Sequence, residues 1–226
     1  HGVINTLSPA MDSQSIAVEV GPHDYYRTKI ALAAEQGDHR WHLAVNGVSN
    51  GGLKDDAGYD QQKITLQHQW QGEAFGLDEL DVHSVLSLVN LNQETAGFIR
   101  GEEAYDESNW KDNPNPEAYR DAHAIRLTST FKWQTDSGAQ WQFSPYLRSS
   151  EMDFLMHFLP GQPIEKNAQD SVGFLSSYQI SFNDSVKLWL GVEGEWADMQ
   201  VQETQLDELS PTSTRYQGRH YDYDVN

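Results

Sequence analysis

The sequence predicts an all-β fold, a transmembrane antiparallel up-and-down β-barrel or part of one, on three observations. Apolar and polar residues alternate with period two along the chain, the connections between these runs are short and long in turn, and no segment carries a useful helical period. A mean hydropathy of −0.67 and 38% hydrophobic residues would suit a water-soluble domain. Strands that show lipid only every second residue keep the same average, so hydropathy does not decide the matter. No apolar run approaches the roughly 20 residues that a membrane-crossing helix needs.

Each run can be read in order. In "YYRTKIALAA", Tyr26, Thr28, Ile30, Leu32 and Ala34 share a face against Tyr25, Arg27 and Lys29. "RWHLAVNG" sets Trp41, Leu43 and Val45 against His42 and Asn46, and "KITLQHQW" sets Ile64, Leu66, His68 and Trp70 against Lys63, Thr65, Gln67 and Gln69. "VHSVLSLVNL" is a strand whose apolar face the pattern leaves open. "AIRLTSTFKWQ" places Ile125, Leu127, Phe131 and Trp133 opposite Arg126, Thr128, Thr130 and Lys132. In "QWQFSPYLRS", Trp141, Phe143 and Leu147 oppose Gln140, Gln142 and Arg148. "SVGFLSSYQISF" and "VKLWLGVEGEW" repeat the pattern, with Val172, Phe174, Tyr178, Ile180 and Phe182 on the first and Val186, Leu188, Leu190, Val192 and Trp196 on the second.

The connections "EQGDH", "QGEAFGLDE", "DSGA" and "NDS" are short, whereas those over 48–60, 94–122, 150–170 and 198–220 are long. Tight turns at one end and long loops at the other are the connectivity of outer-membrane barrels. A β-sandwich also alternates, but it seldom sorts its loops so regularly by length. Trp70, Trp133, Trp141, Phe182 and Trp196 fall on the apolar face near strand ends, where an aromatic girdle belongs, with Phe131 one step inside.

Composition excludes several classes. A formal charge of −19 is unsuited to a nucleic-acid partner, whose phosphates call for clustered Lys and Arg. Without cysteine there is neither a disulfide framework nor a thiolate zinc site. Nine histidines among many acids guarantee chance pairs, as in "HDYY", "GDHRWH" and "EMDFLMH", but none has the H-E-x-x-H spacing of a metal centre. No nucleophile elbow or phosphate-cradling glycine loop is present, so the expectation is no enzyme, no cofactor and no metal. Beginning on His1, without an initiator Met or a signal segment, the chain reads as a processed form or a fragment.

Several segments resemble one family. "HGVINTLSP" is similar to the strand that closes the plug of TonB-dependent outer-membrane receptors and leads into their barrel. "DDAGYDQQKITLQHQW" resembles an early extracellular loop and the strand after it, and "LNQETAGFIRGEEAY", "NPNPEAYRDA" and "MDFLMHFLPGQPIEKN" resemble loop and strand-edge segments of the iron-complex branch. The resemblance implies a barrel of about 22 strands filled by a plug. Residues 1–9 would then be the end of the plug and residues 10–226 the N-terminal part of the barrel, supplying about ten strands. It further implies a bacterial outer-membrane location, uptake of a scarce ligand, by default a ferric siderophore, and partnership with the TonB complex through a region outside this chain. Cobalamin, haem, thiamin-like molecules and oligosaccharides stay open as cargo, and a self-contained porin or adhesin barrel and a soluble glycan-binding sandwich stay open as rivals. With unpaired edges, this chain alone is expected not to fold as an independent membrane protein.

Long loops on a rigid scaffold are where recognition residues sit. Tyr105 and Trp110 in the second long loop, with Met152, Phe154 and His157 in the third, are therefore the expected contacts for a metal chelate or other bulky ligand. Arg27, Lys29, Lys63, Arg126, Lys132 and Arg148 all fall on the polar, lumen-facing side, where they would meet acidic plug groups or an anionic ligand.

Overall fold

The structure, a computed structural model, describes residues 10–101, 103, 106, 110–159, 161–183 and 186–204, together with the backbone of 219–225. It is all-β. Nine consecutive strands are β1 (Ser15–Gly21), β2 (Tyr25–Gln36), β3 (His39–Asn50), β4 (Tyr59–Ala74), β5 (Leu77–Glu94), β6 (Tyr119–Gln134), β7 (Gln140–Leu155), β8 (Ile164–Asn183) and β9 (Val186–Thr204). The backbone of a tenth, β10 (Arg219–Val225), pairs along β9. Every strand pairs antiparallel with its neighbours in chain order, and β1 and β10 remain separate edges, so the sheet is up-and-down and does not close.

The two ends differ as the sequence predicts. At one end lie the turns 37–38, 75–76, 135–139 and the β8–β9 connection; at the other lie 51–58, 95–118 and 156–163. The exception is β1–β2, a tight turn at the long-loop end in which His23 and Asp24 both take positive φ. At Phe75 and Gly76, φ values of 55° and 77° give the two-residue turn whose twist matches a hairpin, tighter than the sequence suggested.

Register joins the alternating faces of all strands into two surfaces. Across the apolar surface runs one row of partners, Leu32, Leu43, Leu66, Leu86, Leu127, Leu147, Val172 and Trp196, each opposite the next from β2 to β9. This register also settles β5: Val82, Leu86 and Leu88 join the apolar surface, while His83, Val85 and Val89 join the polar one. Trp196 sits mid-strand within this row, not at a strand end as expected.

Burial runs opposite to a globular core. Leu32 is 51% exposed, Leu147 52% and Trp196 66%, whereas the buried polar residues His42, Gln67, Ser144 and Ser171 all lie on the polar surface. Among the described residues the buried apolar side chains are few: Leu80, Leu155, Met156, Pro163 and three alanines. Contiguous exposed apolar area of this extent needs a covering. Nearer the short-turn end the row is bordered by stacked rings, with Trp41 on His68 at 4.0 Å and Trp133 on Trp141 at 6.0 Å. At the other border, the row that holds Ile30, Val45, Ile64, Leu88 and Ile125 continues into Ser149, Asp170 and Asp198, while Ile180 and Leu188 carry apolar character further toward the short turns. The apolar belt thus crosses the ladder obliquely.

Candidate functional site: the polar face and the long-loop end

The cations expected on the polar side share that surface by register. Arg27 and Lys29 both reach Glu19 on β1, at 3.7 and 3.3 Å, and Arg27 Nε donates to Asn46 Oδ1. Arg126 and Arg148 are direct cross-strand partners, an arrangement that repels unless a carboxylate intervenes. Glu195 on β9 binds Arg148, whose Nε also donates to Ser171 Oγ, and Tyr146 Oη donates to Glu195 at 2.9 Å. Tyr146 reaches across β8 because Gly173 lies beneath its ring; a Cβ there would stand 2.4 Å from the ring and hydroxyl.

Of the residues expected in loops, Met152 and Phe154 lie instead within β7, opposite Asn167 and Glu165 of β8, with side chains on the polar surface. The strands run on past the apolar belt: where both faces are polar, alternation fades, and the chain looks like loop in the sequence. Arg120 stacks over the Phe154 ring at 5.7 Å. Trp110 is in the 95–118 loop, its ring covered by Lys111 Nζ at 5.1 Å. Tyr105 lies outside the described residues. The four described residues do not form one cluster: Met152 and Phe154 belong to the sheet, His157 to a loop cavity and Trp110 to a turn of the 95–118 loop.

That cavity, of about 880 Å³, is a size typical of small-molecule sites and is formed by three loops. Lys54 Nζ donates to Gly97 O at 2.7 Å, Asn113 Nδ2 to Asp56 O at 2.8 Å and Gln162 Nε2 to Glu117 Oε1 at 3.0 Å, so all three loops are tied together. Glu117 is held below the ordinary glutamate range, first by its own backbone N–H and then by the amides of Asn115 and Gln162. Asp55, Asp56, Asp112, Arg100, Phe98 and His157 supply most of the lining's chemistry.

A feature that the sequence did not disclose sits at the start of the sheet. His42, fully buried, and Gln67, 1% exposed, belong to a hydrogen-bond chain on the polar surface. Ser13 Oγ donates to Ala10 O at 3.0 Å, so it accepts from His42 Nε2 at 2.8 Å; His42 Nδ1 then accepts from Gln67 Nε2 at 3.2 Å, and Gln67 Oε1 accepts from His83 Nε2 at 3.2 Å. Every donor finds an acceptor in one direction, which fixes neutral His42 as the Nε2–H tautomer. The chain fastens residues 10–13 to the polar surface, so the backbone approaches β1 from that side. Only the pairing of β3, β4 and β5 reveals this, because His42, Gln67 and His83 are unremarkable polar strand residues in the sequence.

Compared with known proteins, the chain matches no family model and no curated protein.

Proposed function

We propose that these strands form part of the wall of a bacterial outer-membrane barrel of the TonB-dependent receptor type, and that the whole receptor takes up a scarce ligand, by default a ferric siderophore. The observation that carries the membrane reading is the inverted burial. A row of six leucines, Val172 and Trp196 across eight strands faces outward, while polar His42, Gln67, Ser144 and Ser171 are buried on the opposite surface. In a sandwich a second layer would cover that row, and the described residues provide none. A lipid bilayer supplies the covering, with tight turns at one border and long loops at the other.

The receptor reading goes further and draws on two things. One is the resemblance of the chain's segments to that family. The other is the fastening of residues 10–13 on the polar surface, the side on which a plug would sit. On this reading the long-loop cavity and the adjoining polar surface lie on the ligand's route inward.

Fractionation of cells that carry the protein encoded with this segment tests the reading. The protein is expected in the outer membrane as a heat-modifiable species. Recovery in a soluble fraction would end the barrel account.

A further inference from the structure

The polar surface is not uniformly polar. Val89 and Leu91 of β5, Ala122 and Ala124 of β6 and Met152 of β7 adjoin one another by register, making an apolar patch on the wall just below the long loops. Lys63 lies directly opposite Val89, Arg126 follows Ala124 on the same face of β6, and Arg120 precedes Ala122 there. The ion pairing around this patch differs from that near β1 and β9. Arg27 and Lys29 share Glu19, and Arg148 holds Glu195, but Lys63, Arg120 and Arg126 have no carboxylate partner among the described residues. Lys132, nearer the short turns, likewise has no carboxylate partner among the described residues. In a chain with a formal charge of −19, three cations without a carboxylate partner thus surround one apolar patch. Glu165, beyond Phe154 on β8, is the nearest acid in the register and is engaged by Asn167.

We propose that this patch binds an amphipathic anion, with an apolar body resting on Leu91, Ala122 and Met152 and an anionic group held between Lys63 and Arg126. β4 and β6 are two strand spacings apart, about 10 Å, which two long cationic side chains can span toward one carboxylate, catecholate or phosphate. Met152 suits an irregular apolar partner because its thioether is polarizable and its rotamers adapt. The charge complementarity selects against cationic cargo and favours an anion over a neutral sugar, whose hydroxyls would accept from Lys63 and Arg126 without neutralising them. This proposal deepens the receptor reading and rests on the polar surface lining an aqueous lumen.

Photo-cross-linking in isolated outer membranes tests it, with 4-azidobenzoate as the anionic probe and 4-azidobenzylamine as its cationic counterpart. Mass spectrometry then locates the adducts. The carboxylate is expected to label peptides of β5–β7 about tenfold more than the amine, the worth of one charge-assisted contact, and the K63Q/R126Q variant is expected to lose that preference. Equal labelling by both probes, labelling insensitive to the double substitution, or absence of adducts from these strands in membrane-borne protein would overturn the proposal. Absence of the protein from the outer membrane would overturn the barrel reading itself, and the proposal with it.

Discussion

Replacing Leu127 by arginine is expected to cost the assembled protein about 2–4 kcal/mol, the penalty for a cation near the middle of a lipid-facing strand. Leu127 lies mid-row, between Leu86 and Leu147, and its side chain has no protein layer above it. Its neighbour along β6, Thr128, faces the other way and pairs with Val85 and Tyr146 on the polar surface. Lysine at position 128 is therefore expected to leave assembly nearly unchanged. The comparison is read as the amount of heat-modifiable protein in outer membranes; a large loss for L127R beside little loss for T128K is the expected pair.

The second large effect is expected at His42. Alanine there takes a hydrogen-bond partner from both Ser13 and Gln67 in a place closed to water, at about 1–3 kcal/mol. The loss should be local. Limited proteolysis is expected to open the chain between Met11 and Gln14 while the β4–β5 hairpin stays protected, since that hairpin keeps its own long ladder. Unchanged cleavage in H42A would show that the hydrogen-bond chain does not fasten residues 10–13.

How much of this was legible in the sequence depends on where the two faces differ. Between Ile30 and Trp41, or Ile125 and Trp133, one face is apolar and the other polar, so period two marks both the strand and its orientation. β5 was ambiguous because Val85 and Val89 place apolar residues on the polar surface, and only pairing with β4 and β6 assigns them. Val89 is itself part of the proposed ligand patch. Strand ends were underestimated where both faces become polar: Asp60, Asn92, Asp121 and Asp153 share one row that carries no alternation signal yet is still in the ladder. Met152 and Phe154 stand out in the sequence by residue type alone, in a stretch without alternation that reads as loop; their register puts them in β7. The His42 chain depends on residues from three strands and an approaching segment, a proximity for which one sequence carries no local sign.

The central claim is that the leucine row meets lipid and the opposite surface meets water. With no native cysteine, single cysteines can be placed and spin-labelled at Leu86, Leu127 and Leu147 on one surface and at Ser87 and Thr128 on the other, in the protein in its outer membrane. Collision rates with oxygen, which concentrates in lipid, and with a water-soluble nickel chelate then report each label's surroundings. The account predicts high oxygen and low nickel accessibility at 86, 127 and 147. At 87 and 128 it predicts oxygen accessibility below that of the leucine row. Labels at the leucine row that are shielded from both reagents would place a protein layer over it, and would contradict the account.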